Sequence, residues 1–183
     1  MSKNILFVNG SLRKESFNQK AIDFIKNELE VLGYSTKQVD ISQLPFINQD
    51  IEFPAPEPVT QIRQELKNSD GLWIVTPEYN HSLPSVLKNF LDWISRSPEQ
   101  GKMGAPDFIV NKTTAISGVA GGSAASYSIA QTLDVAKFIS LSPIDKTVGI
   151  ILPGEAFTTG KFELSEENKV ALKEQIDEFV KAL

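Results

Sequence analysis

The chain has 183 residues, 41% hydrophobic and 22% charged, and no cysteine: enough for one domain with its own core, and nothing from which to build disulfides, thiolate metal sites or a cysteine nucleophile. A formal charge of −5 and a pI near 5.0 argue against a nucleic-acid surface, which recruits clustered lysine and arginine. The first apolar run covers only residues 5–8 before Asn9 and Gly10 interrupt it, far short of a membrane span or secretory signal, so a cytoplasmic protein without membrane contact is expected.

Residues 4–8 (NILFV) read as a strand buried on both faces. Phe17, Ala21, Phe24, Ile25, Leu29 and Leu32 follow at helical spacing, with Gly33 placed as a C-cap. Residues 35–41 (STKQVDI) read as a more polar edge strand. The stretch LPFINQDIEFPAPEP after it holds four prolines, which forbid regular structure over most of its length. Ile62 and Leu66 mark a short helix, and residues 71–75 (GLWIV) a second central strand. Pro84 opens another helix, which runs to Ser95. Its polar residues Ser85, Lys88, Asn89, Asp92 and Ser95, with Arg96 just beyond, form one stripe, while Val86, Leu87, Phe90, Leu91, Trp93 and Ile94 make an apolar surface wider than one core face needs. Two accounts fit that excess: a subunit interface, or deep packing under the proline-rich loop.

Residues 113–117 (TTAIS) and 147–152 (TVGIIL) are further strands, separated by a helix from about Ala124 to Phe138. Ser165 caps a last helix whose Leu172, Ile176, Phe179, Val180 and Leu183 share a face. Five alternations of strand and helix over residues 1–183 specify a single α/β domain: a three-layer α/β/α sandwich around a five-stranded parallel sheet. The flavodoxin-like order 2-1-3-4-5 is expected, with its ligand crevice outside strands 1 and 3.

Both of those strands run into polar loops. In GSLRKESFN (residues 10–18), Gly10 permits a sharp turn and Ser11, Ser16 and Asn18 stand at a helix start, where unpaired N–H groups and the helix dipole favour an anion. Arg13 can add a charge-assisted bond. On this loop alone, a phosphate site and a plain capped helix with solvated charges are evenly matched. The loop has neither GxxxxGK[ST] nor GxGxxG, which argues against nucleoside triphosphatase and dinucleotide folds, and Asp40 reads as a loop cap. The second loop, TPEYNHSLP (residues 76–84), sets Pro77, Glu78, Tyr79 and Asn80 directly after a buried strand, where irregular backbone can read the edge of a heterocycle.

GSLRKESFN, LPFINQD and TPEYNHSLPSVLKNFLDW together resemble the NADPH-dependent FMN reductase family, which includes quinone, chromate and azo-compound reductases; ISGVAGGSAA continues the likeness more loosely. The resemblance implies bound FMN, NADPH or NADH as hydride donor, small-molecule acceptors, and a homodimer or a homotetramer of two dimers. It also favours the subunit-interface account of the helix from Pro84 to Ser95, and it implies that Ser11, Arg13, Ser16, Phe17 and Asn18 surround the FMN phosphate. Pro77, Glu78, Tyr79 and Asn80 would lie along the ribityl chain and ring, with Ser117 and Gly118 closing the ring site. No role is carried onto His81, and no catalytic side chain or metal is expected, because the flavin performs the hydride chemistry in a ping-pong cycle. One competing reading is a flavodoxin-type FMN electron carrier reduced by a protein partner. It fits the acidic pI, but not the arginine-bearing phosphate loop. A response-regulator domain needs carboxylates where this chain has Asn9 and Thr76.

Overall fold

In a computed structural model, which describes residues 2–183, the elements follow in the order β1 (Asn4–Asn9), α1 (Phe17–Val31), β2 (Ser35–Val39), α2 (Glu57–Lys67), β3 (Gly71–Thr76), α3 (Ser85–Ser95), β4 (Thr113–Ala120), α4 (Ser126–Phe138), β5 (Ser142–Pro143), β6 (Val148–Ile151), α5 (Gly154–Thr159) and α6 (Glu166–Ala182). All strand pairs are parallel, in the order β2-β1-β3-β4-β5, with β6 also pairing with β4. The expected flavodoxin-like order holds. The fifth position, however, is shared by two pieces: β5 pairs with Thr113 and Thr114, and β6 with Ser117 to Ala120.

Strand side chains alternate between faces, and that alternation builds two cores. Ile5, Phe7, Trp73, Val75, Ala115 and Val119 face α1 and α6, where they meet Ile22, Ile25, Ile176 and Phe179. Leu6, Val8, Leu72, Ile74 and Ile116 face α2, α3 and α4, where they meet Ile62, Leu66, Leu87, Phe90 and Ile129. The central strands are buried on both sides, which explains their unbroken apolar runs.

The structure decides between the two accounts of α3. Leu87, Phe90, Leu91, Trp93 and Ile94 are all buried within this one chain: Leu87 and Phe90 belong to the sheet core, and the proline-rich segment lies across the helix at Asn89 and Trp93. Pro45 O accepts from Trp93 Nε1 at 2.7 Å and from Asn89 Nδ2 at 2.9 Å, while Asn89 Oδ1 accepts from the Ile47 backbone N–H at 2.8 Å. The segment holds one turn of 3-10 helix, Gln49–Ile51, capped by the side chain of Asn48. It is then fastened to the end of α3 by Glu52, whose carboxylate accepts from Arg96 Nε at 2.6 Å and Nη2 at 3.0 Å.

Glu52 is only 4% exposed. The Arg96 hydrogen bonds hold its carboxyl below the usual range against the opposing effect of burial. A lowered carboxyl pKa adds stability above the ordinary carboxylate range, and that stability is lost as pH falls through the folded-state value. Glu52→Gln is therefore expected to cost about 1.5–3 kcal/mol near neutral pH, the range for hydrogen bonds to charged groups. Urea titration of the two proteins should show the gap closing as the pH is lowered; a gap constant with pH would contradict this account.

Candidate functional site

β1 and β3 are neighbours, so their following loops leave the same edge of the sheet side by side. Gly10 N–H continues the pairing by donating to Val75 O at 2.8 Å. The absence of a side chain at Gly10 is what lets the loops touch: a Cβ there would lie 3.2 Å from Pro77 Cδ and 3.3 Å from Thr76 Cα.

The first loop is organised by its own polar groups. Asn9 Oδ1 accepts from Ser11 N–H at 3.0 Å, and Ser11 Oγ accepts from Arg13 N–H at 3.3 Å. The Arg13 guanidinium lies 4.4 Å over the Phe17 ring, and Phe17 itself is fixed edge-on by Phe157 and Phe162. Asn18 ties the first turn of α1 to the end of β4, its Oδ1 accepting from Val119 N–H at 3.0 Å. Ser16 occupies the N-cap of α1 yet makes no capping bond. Its Oγ is buried and has no partner among the described residues. The first turn also carries no acidic side chain.

A buried hydroxyl without a partner costs roughly 1–3 kcal/mol. Placed among the unpaired N–H groups of a helix start, it suits a phosphate, which can accept from all of them. Two adjoining hollows, about 150 and 350 Å³, share Ser11, Arg13 and Ser16. The residues present fit the phosphate end of FMN.

In the second loop, Tyr79 and Ser82 exchange backbone hydrogen bonds at 3.1 and 3.0 Å, and Asn80 and His81 between them both have positive φ, 52° and 56°. That is a two-residue hairpin of the type whose central residues both sit in the left-handed region. α4 holds the hairpin at two points. Glu78 accepts from Ser123 Oγ at 2.6 Å and from the backbone N–H groups of Tyr127 and Ser128 at 2.9 and 3.3 Å, so it caps a helix whose own N-cap residue, Ala125, cannot. Gln131 Oε1 accepts from Ser82 Oγ at 2.7 Å and its Nε2 donates to His81 O at 3.1 Å. The His81 and Tyr127 rings stack at 4.3 Å.

Ser11, Arg13, Ser16, Phe17, Asn18, Pro77, Glu78 and Tyr79 all line the smaller hollow. Asn80 is adjacent, at the exposed tip of the hairpin. Within the lining, the Glu78 carboxylate is engaged with Ser123 and the start of α4, and the Asn18 amide with Val119.

Ser117 and Gly118 stand elsewhere. β4 runs three residues beyond its expected end, which makes both of them internal to the strand. Ser117 is fully buried, receiving a bond from Trp73 Nε1 at 3.0 Å and donating to Gln175 Oε1 at 2.7 Å. Gly118 lies beneath α4, where a Cβ would meet Ala125 Cβ at 2.5 Å. The third edge of the hollow is instead Val119, Ala120 and Gly121, with Leu152 and Phe157. Sequence reasoning missed Gln131, which carries no motif, and Phe157, which belongs to the unexpected α5. Asp40 caps its own loop by accepting from Ser42 N–H at 2.8 Å.

Residues 3–149 match the family model described as NADPH-dependent FMN reductase. The chain is 37% identical over 143 residues to an NAD(P)H-dependent FMN reductase of Pseudomonas aeruginosa, covering 78% of this chain and 74% of that protein. It is 40% identical over 121 residues to a 2-hydroxy-1,4-benzoquinone reductase of a Burkholderia species, covering 66% of each. Among solved structures, the flavoenzyme NAD(P)H:(acceptor) oxidoreductase FerB of Paracoccus denitrificans superposes with a TM-score of 0.80 at 25% identity, covering 98% of both chains.

Ser16→Ala separates a ligand role from a structural one. Because the hydroxyl has no partner, its removal should leave the stability of the flavin-free protein unchanged or raised, while FMN affinity measured by flavin fluorescence quenching falls about tenfold. Lost stability with unchanged affinity would reverse the assignment.

Proposed function

The chain belongs to the NADPH-dependent FMN reductase family and is an FMN-dependent NAD(P)H oxidoreductase, and from that premise we propose that it reduces small quinone-type acceptors at the edge formed by its first two loops. The observation that carries this reading is the pairing of an unpartnered Ser16 hydroxyl at the start of α1 with a rigid hairpin across the crevice. One end suits a phosphate and the other presents backbone to a flat ring. Bound FMN supplies the hydride chemistry.

The protein's own residues bind and orient. Ser11, Arg13, Ser16 and the first N–H groups of α1 hold the phosphate, with Arg13 kept in place by its contact with Phe17. Pro77, Glu78, Tyr79 and Asn80 hold the ring through the hairpin backbone, and Glu78 and Gln131 keep that backbone fixed. Tyr79 OH stands 3.5 Å from Ser11 Oγ, bridging the two loops. Donor and acceptor take turns at one open face, and on this reading no protein side chain need act as an acid, because the flavin carries the hydride chemistry. That arrangement tolerates acceptors of varied shape, including quinone, azo and chromate types.

The reading includes a homodimer or a pair of dimers. The α3 surface is covered in cis, so the association rests on side chains such as Phe46, 76% exposed on the segment that crosses α3. A cytoplasmic location completes it. No helix among the described residues is long and apolar enough to cross a membrane.

Anaerobic mixing of the flavin-loaded protein with NADPH or NADH should bleach the visible flavin absorbance, and a quinone added next should restore it. An unchanged spectrum with both nucleotides would overturn the proposed activity.

A further inference from the structure

A cavity of about 760 Å³ lies apart from the flavin crevice. It lies between α2, the segment around Phe53 to Ala55, and the 97–110 connection. Lys67 closes α2 and Lys112 immediately precedes β4, so the cavity reaches the N-terminal edge of the sheet, the edge opposite the flavin loops. Its volume is in the range of small-molecule sites.

The walls combine two chemistries. Phe53, Pro54, Ala105 and Phe108 supply an apolar side, and Arg63, Lys67 and Lys112 supply positive charge. Lys102 is paired with Glu99, and Asp107 is the other acid in the lining. Arg63, Lys67 and Lys112 make no ion pair with any carboxylate among the described residues. In a chain of net charge −5, that local surplus runs against the overall balance.

Arg63 gives the sharpest signal. It is 6% exposed, and only its Nη2 is used, donating to Trp93 O and Arg96 O at 3.2 Å each. Its buried Nε has no partner among the described residues. Glu52, the acid whose charge acts on it, is committed to Arg96. Lys112 donates to Ser69 O. Burial lowers the pKa of both Arg63 and Lys112, with Glu52 and Asp70 respectively opposing the shift and Arg96 adding to it at Arg63. Charge is thus held in a desolvated wall without a counter-charge in contact, and an anion is the group that would relieve it.

We propose that this cavity is a second binding site, separate from the flavin crevice, for a small amphipathic organic anion: an aromatic or aliphatic body against Phe53 and Phe108, with a carboxylate, sulfonate or phosphate toward Arg63 and Lys112. Arg63 also caps the end of α3, so variants of Lys112 and Ala105 test the site with less risk to folding.

The flavin-loaded protein is titrated with 8-anilinonaphthalene-1-sulfonate and, separately, with N-phenyl-1-naphthylamine, which keeps the rings and lacks the charge. The sulfonate should bind at one site, and the neutral analogue about tenfold more weakly. Lys112→Met, which removes a charge, and Ala105→Trp, which fills the cavity, should each weaken sulfonate binding by about tenfold. Flavin content and quinone reduction should stay unchanged in both. Absent binding, equal affinity for the two dyes, indifference to both substitutions, or displacement of the dye by a quinone acceptor would overturn the proposal.

Discussion

The parallel pairing of β1 with β3 sets Ile5 opposite Gly71 and Asn9 opposite Val75, so two chain segments more than sixty residues apart leave the sheet at adjacent points. The pairing is enforced by burial on both faces. Phe7 stacks on Trp73 with ring centroids 6.0 Å apart, and Trp73 packs in turn on Phe179 of α6 at 4.9 Å. A slip of one residue would exchange the side chains of the two cores. Everything at the crevice inherits its position from this register, and Gly10 converts adjacency into contact.

Backbone conformation at the crevice is unusual for the residues that adopt it. Asn80, His81, Ala124 and Ala125 all have positive φ, and for alanine the left-handed region costs roughly 1–2 kcal/mol per residue. The compensation is local. Glu78 takes one hydrogen bond from Ser123 in the turn and two from the start of α4, and Gln131 bonds back to the hairpin; bonds to a carboxylate contribute about 1.5–3 kcal/mol each, enough to offset the strain. The hairpin and the 121–125 turn therefore stabilise one another. The result is an edge of the crevice whose backbone is held from two sides.

The central strands were legible because burial on both faces leaves continuous apolar runs, and the two loops because each carries a string of turn and anion-binding residues after such a run. Ser142–Pro143 was not, since a two-residue polar pairing has no periodicity. The end of β4 was ambiguous for a definite reason: ISGVAGGSAA offers glycines at 118, 121 and 122, and only the packing of Ala125 on Gly118 shows that the first lies inside the strand. Pattern alone also left α3 undecided, because its width of apolar surface is explained by a covering segment that comes from forty residues earlier. Ser16 was readable as a cap, and its lack of any capping bond was not.

The central claim is that the start of α1 is built to hold a phosphate, with the hairpin holding the ring beside it. Titrating the flavin-free protein with FMN and with riboflavin, which has the same ring and no phosphate, tests this directly by fluorescence quenching. The account predicts that riboflavin binds about a hundredfold or more weakly, the loss expected when several charge-assisted bonds are removed. Equal affinities would contradict it.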